Sequence, residues 1–312
     1  MNQTVFRILT GVSTLLAASA CKQESVSLFE NASTLSGSIV VSSSVLNSVM
    51  LFNPDGSFER VVRDYSFPLE TPYGIGVIGG GRVVVAVEGT DRLETLDLTG
   101  AALPSNFHLS PNLSSSPIQG VVVDASGNVF VSEASTNTIE KFNSSGVRQG
   151  NPFIAATVGT CVLNTPRHIA ALPGGGIAVV GSGNDRLSIY DASGGCVATV
   201  TGAPFGSNDP YGVAYDSASD KIIVAFYNNS AIVSLNPNGT GVTQIYLNTS
   251  VIQGPVSVAA DGQGFLYVAS LALDTVEKLS YPGGATATRV GSSQFMPPSA
   301  HLRDPTSVTW VP

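Results

Sequence analysis

The chain has 312 residues, 12% of them charged, and a formal net charge of −8. So few cations leave no basic stripe to neutralise phosphates, which excludes nucleic acid as a partner class. The acidic, lysine-poor balance, rich in Ser, Thr and Asn, suits an exported β-rich protein that stays in solution.

The N-terminal stretch "MNQTVFRILTGVSTLLAASAC" carries one cation, Arg7, followed by an uncharged apolar run from Ile8 to Ala20. That run falls short of the roughly 20 residues needed to span a bilayer, so residues 1–20 read as a signal peptide. Ala18, Ser19 and Ala20 supply the small residues a signal peptidase requires. Cys21 then has two readings. Small residues before a cysteine resemble the bacterial lipobox, in which Cys21 is the lipidated mature N-terminus and membrane anchor, although Ala18 stands where Leu is usual. By the same resemblance, Lys22 in place of Asp points to the outer membrane of the cell envelope. The other reading is ordinary cleavage after Ala20, which gives a secreted soluble protein with a free thiol. Residues 21–36 read as a polar tether, and no later apolar run approaches spanning length.

From residue 37 onward one unit recurs. A proline opens a short apolar strand at Pro72, Pro117, Pro166, Pro210, Pro255 and Pro305, at intervals of 45, 49, 44, 45 and 50 residues. This is a propeller-blade spacing. In the first five units a β-branched strand follows: "RVVVAV", "NVFVSE", "GIAVVG", "KIIVAF" and "FLYVAS". Short Val/Ile-rich runs bounded by turn residues are strand signals, and no useful length has helical period. A polar slot comes next, filled by Asp91, Asn137, Asp185, Ser230 and Asp274 and assigned to the hairpin between third and fourth strands. Six positions on stands Asp97, Asn143, Asp191, Asn236 or Ser280, and nine on a glycine, from Gly100 to Gly283. An Asx or Ser side chain opens a turn and a left-handed Gly ends it, so the expected role of these residues is structural.

The sixth unit is split between the termini. Pro305 opens "PTSVTWVP" and the chain stops; the missing strands match "GSIVVSSSVLNSVMLFNPDG", with Asn47 in the slot and Gly56 closing the turn. The expectation is therefore an all-β, six-bladed β-propeller of four-stranded antiparallel blades over residues 37–312, its last blade closed by N-terminal strands plus the C-terminal strand. Such closure hides edge strands. The pattern resembles the NHL-repeat family of six-bladed propellers. It is clearest in blade two, at Gly120, Val121, Asp124, Gly127, Val129, Phe130, Val131, Asn137, Ile139 and Phe142. That resemblance implies the fold and leaves function open, since such propellers include binding proteins and enzymes.

In a propeller the first strand of each blade lines the axis. Here it supplies Gly74, Gly120, His168, Gly212, Ser257 and Ser307, then Gly76, Val122, Ala170, Ala214, Ala259 and Thr309. Related six-bladed hydrolases hold a divalent cation at the axis with converging Glu, Asn and Asp. None of these twelve residues is a carboxylate, so no metal or other cofactor is expected. Arg167 and His168 are the residues for an enzyme reading, as an anion-binding or acid–base pair; the plainer reading of His168 is a satisfied histidine at the channel mouth. Tyr73, Glu88, Gln119, Glu133, Arg167, His168, Tyr211 and Tyr227 are expected to cluster on the loop-rich face as a binding surface, since Tyr and Arg carry binding energy at interfaces.

Cys161 and Cys196 are candidates for a disulfide that would stabilise blade three by roughly 3 kcal/mol. The expected topology argues against it: Cys161 falls in a loop on one face and Cys196 beyond a turn on the other. A strand separates the faces by roughly 17 Å, whereas bonded cysteines need Cα atoms within about 7 Å. The functional expectation is a monomeric, lipid-anchored binding or scaffold module for a protein, peptide or glycan. Its rival is an enzyme of lactonase, esterase or lyase type working at the channel mouth.

Overall fold

A computed structural model describes residues 35–65, 70–101, 103, 113, 117–284 and 286–312; the stretch read as a signal peptide, Cys21 with its expected lipidation, His108 and most of the expected tether lie outside the described residues. The described chain is a ring of six antiparallel sheets. The innermost strands, taken in order, are Pro72–Gly79, Ile118–Val123, Pro166–Ala171, Pro210–Asp216, Pro255–Ala260 and Pro305–Trp310. Each packs against the next, and the sixth packs against the first. The ring is closed.

The Val/Ile-rich runs form the second strands of their blades and are buried beyond their first residue: Val83, Val84, Val85, Ala86 and Val87 are all fully shielded from solvent. A blade sits between two neighbours, so both faces of its middle strands are covered and continuous apolar runs replace simple alternation. Outer strands behave differently. Phe58–Asp64 alternates partly buried and exposed residues, as an edge that meets water on one side should.

Four blades have four strands. In blade one three strands are described, and the segment that would hold the fourth lies largely outside the described residues. In blade two the fourth position is reduced to the isolated bridges Phe142↔Arg148 and Ile139↔Ile154, so the expectation of four regular strands does not hold there.

The sixth blade is built from both termini. Ile39 pairs with Trp310, Val40 with Thr309 and Val41 with Val308, and Ser48–Phe52 and Phe58–Asp64 complete the sheet. Each inner strand starts at the mouth of the channel and runs away from it, so Trp310 and its partner Ile39 lie at the far face. There the Gly37 N–H donates to the Val311 carbonyl at 2.7 Å, and buried Leu35 joins the apolar cluster that contains Val311. The chain therefore enters the ring on the face opposite the mouth.

The polar slot is corrected by the structure. Asn47, Asp91, Asn137, Asp185, Ser230 and Asp274 sit in the turns between second and third strands, with φ between 47° and 59°. The hairpin from third to fourth strand belongs instead to Asp97–Gly100 and its equivalents, where Asp191 Oδ1 accepts from the N–H groups of Ser193 and Gly195 at 2.8 and 2.9 Å. Four slot side chains reach across to the next blade. Asn137 Oδ1 accepts from the Thr165 N–H at 2.7 Å, Asp185 from Asp209 at 2.8 Å, Asp274 from Asp304 at 2.6 Å, and Ser230 Oγ from Gly254 at 3.2 Å. Every donor immediately precedes an inner-strand proline. These are staples between blades.

Cys161 and Cys196 are bonded, with Cα atoms 5.6 Å apart, which overturns the argument against the pair. That argument placed Cys161 on the mouth face. Instead Thr157–Val158 and Cys161–Val162 form a two-stranded excursion that runs down the outside of blade three, where the Thr199 hydroxyl donates to the Thr160 carbonyl at 3.0 Å. Replacing both cysteines by alanine should lower the unfolding free energy by about 3–4 kcal/mol through loop-closure entropy. Urea denaturation of the double variant measures this, and thiol titration of the unreduced wild type should find neither cysteine free.

Candidate functional site

Every inner strand shifts register just after its first residue: between Pro72 and Ile75, Ile118 and Val121, Pro166 and Ile169, Pro210 and Gly212, and Pro255 and Ser257, with the matching shift at Ser42/Ser43 opposite Pro305. A bulge re-aims the side chain it carries. Here it turns one residue per blade into the mouth: Tyr73, Gln119, Arg167, Tyr211, Val256 and Thr306. All six line a single basin of about 250 Å³, together with Ser44, Tyr227, Leu271, Asp304 and His168.

The axis below the basin is crowded. A Cβ on Gly74 would stand 2.3 Å from the Gln119 carbonyl oxygen, and one on Gly120 would stand 2.2 Å from that of Arg167. No side chain fits at either position. His168 is the only member of this tier with a large side chain, and it lines both the basin and the lower channel. It forms a floor between them.

Arg167 is held on three sides. Its Nε donates to Ser182 Oγ at 2.9 Å, its Nη1 donates to Gln119 Oε1, and its guanidinium lies 4.4 Å from the centroid of the Tyr211 ring. Gln119 Nε2 in turn donates to Glu88 Oε1 at 3.4 Å. A polar chain from Glu88 to Ser182 thus spans blades one to three. Beyond Arg167 the wall turns apolar, with Tyr211 and Tyr227 centred 5.4 Å apart and inclined at 38°, beside Val256 and Leu271.

Burial governs the ionisation of these groups. It raises the Tyr73 and Tyr211 phenols above their ordinary value. It also raises the carboxyl of Glu88, opposed by the Gln119 hydrogen bond and the Arg167 charge, and that of Asp209, opposed by Arg167. Burial, reinforced by the Arg167 charge and opposed by a hydrogen bond to the Thr306 backbone, takes His168 down to about 4. At neutral pH its imidazole is uncharged.

Of the eight residues expected to cluster, Tyr73, Gln119, Arg167, His168, Tyr211 and Tyr227 line the basin, and Glu88 joins it through Gln119. Glu133 does not. Blade two starts its proline one position early: the Ala134 N–H bonds the Pro117 carbonyl, whereas the Glu88 N–H bonds that of Thr71. Ala134 is therefore the counterpart of Glu88. Glu133 is 2% exposed, accepts from the Thr136 hydroxyl at 2.9 Å, and lines a separate cleft with Glu140 and Arg148. Ser44, Val256, Leu271, Asp304 and Thr306 are not among the residues expected there, although Val256 and Thr306 follow their prolines just as Tyr73 and Tyr211 do. Of the other histidines, His301 stacks on Phe58 at 3.8 Å, away from the basin. Among the described residues, no three His, Cys, Asp or Glu side chains form a group that could hold a metal ion.

This architecture defines a six-bladed β-propeller. No protein-family model matches the chain, and no curated protein does. Solved structures similar to it include a chain of the nidogen/laminin complex, 13% identical over 87% of this chain and 97% of that one, with a TM-score of 0.69. Virginiamycin B lyase from Staphylococcus aureus is 12% identical over 82% of each chain, with a TM-score of 0.61. A protein of unknown function from Bacteroides caccae is 14% identical over 88% of this chain and 98% of that one, with a TM-score of 0.60. Likeness at such identities carries the fold alone.

The buried imidazole has a consequence for stability. Between pH 6.5, the ordinary histidine value, and about 4, the unfolded chain binds a proton at residue 168 that the folded chain does not. Stability therefore falls as the pH drops through this window, by about 1.4 kcal/mol per pH step and about 3 kcal/mol in all. Subtracting the denaturation profile of a His168→Gln variant from that of the wild type isolates this part from the carboxylates. A difference that is flat with pH rules out the neutral buried state.

Proposed function

We propose that the protein is an exported, lipid-anchored propeller of the NHL-repeat type, acting as a monomeric binding platform for a protein, peptide or glycan at its channel mouth. One observation carries this reading: all six blades contribute a side chain to one basin, and the Arg167 fork within it is already fixed by Ser182, Gln119 and Tyr211. Pre-ordered side chains lose little entropy when a partner docks, and Tyr and Arg are the residue types that anchor interfaces. The anchor at Cys21 rests on the export signal and the small residues before it.

The rival reading, a lactonase-, esterase- or lyase-type enzyme, is favoured by one fact: Arg167 and His168 share the basin. Against it, burial makes the His168 imidazole a weak base, and Ser182, Gln119 and Tyr211 already hold Arg167 in place.

Two experiments test the proposal. Immobilised protein should capture an envelope component, and Arg167→Ala and Tyr211→Ala should each weaken capture at least about tenfold; capture indifferent to the basin variants would refute the platform. Metabolic labelling with a fatty acid should mark the wild type and leave Cys21→Ser unmarked, whereas an unlabelled wild type means ordinary cleavage and a secreted form.

A further inference from the structure

Resting on the basin as a binding platform, we propose that its ligand is a neutral, hydroxyl-bearing ring, the terminal sugar of a glycan. Size is the first argument. At about 250 Å³ the basin lies below the 300–1,000 Å³ typical of pockets for drug-sized molecules, so it takes one ring and not an extended ligand.

Donor and acceptor chemistry is the second. Arg167 uses Nε on Ser182 and Nη1 on Gln119, and its Nη2 has no hydrogen-bond partner among the described residues. It offers a donor. On the wall, the Asp304 carboxylate offers an acceptor and can donate nothing. A group that meets both must accept a hydrogen bond and donate one. A carboxylate cannot donate and an ammonium cannot accept; a hydroxyl does both.

Charge is the third argument. The Arg167 guanidinium already feels Glu88 and Asp209, and Asp304 stands on the basin wall. In the basin itself an incoming anion meets the Asp304 carboxylate as well as Arg167, and an incoming cation meets Arg167 as well as Asp304. Neither sign is favoured. The fourth argument is shape: the Tyr211 ring carries the Arg167 guanidinium, and Tyr227, Val256 and Leu271 beside it form an apolar wall for the C–H face of a pyranose whose hydroxyl edge turns to Arg167 and Asp304.

The test is ligand-observed NMR on the intact protein with the methyl glycosides of glucose, galactose, mannose and N-acetylglucosamine. Glucuronate serves as the anionic ring and trilysine as the cation. At least one neutral glycoside should bind with Kd of about 1 mM or tighter. Tyr211→Ala should weaken it at least about tenfold, and so should Arg167→Lys, which keeps the charge and loses the fork. Should Tyr211→Ala fail to fold by circular dichroism, Tyr227→Ala takes its place. The proposal is overturned if all four glycosides are silent at about 20 mM, if glucuronate or trilysine binds and they do not, or if binding ignores the variants. Silent glycosides together with basin-dependent capture of an envelope protein would remove the sugar and leave the platform standing.

Discussion

Closure of the ring is the constraint on which the rest of the molecule depends. Pro305–Trp310 pairs with Ile39–Ser43, so the last sheet exists only when the two ends of the domain meet. Without that pairing, Ile39, Val40 and Val41, all fully buried here, would present an open apolar edge of the kind that invites aggregation. Burial of both faces of every middle strand follows from the same closure. No blade is a stable unit by itself, since its apolar runs are covered only by the blades on either side.

Closure also decides what can stand at the axis. Six strands converge so tightly that Gly74 and Gly120 lie against the backbone of the next blade, leaving no volume for a side chain. The bulge above this tier restores room and aims one residue per blade into the mouth. The basin is thus a product of crowding below and bulging above. His168 fits its crowded tier by facing the space its glycine neighbours leave, at the cost of losing water and, with it, the proton it would otherwise carry near pH 6.

The ring was legible in the sequence because it is written six times. Proline, buried strand, slot, turn and glycine recur at matched offsets, and the split blade could be matched offset by offset from Val41 to Gly56. Most of the polar basin residues were legible for the same reason. What failed did so where a unit departs from the common register. Blade two carries its proline one position early, which sends Glu133 into a different cleft. The excursion carrying Cys161 has no counterpart in the other units, so periodicity placed it on the wrong surface and argued against a bond that forms. The slot was assigned to the wrong hairpin because its partner lies in the next blade, and a single repeat holds no trace of a bond made to its neighbour.

That neighbouring bond explains how the basin keeps its shape. In four blades the residue before the inner-strand proline is gripped twice: in blade four the Asp209 N–H donates to Asp185 of blade three, while the Asp209 carbonyl accepts from the Tyr227 N–H at 3.0 Å. Thr165, Gly254 and Asp304 are held in the same way, through the N–H groups of Ser182, Leu271 and Ser44. Two residues further along stand Arg167, Val256 and Thr306, and Tyr211 occupies the same place in blade four. These four basin side chains are therefore positioned by the blade before their own, and Ser182, Tyr227, Leu271 and Ser44 are fixed by the same ladder. The recognition surface belongs to the ring as a whole: a change in one slot residue displaces the mouth of the following blade, even though no slot residue touches what the basin holds.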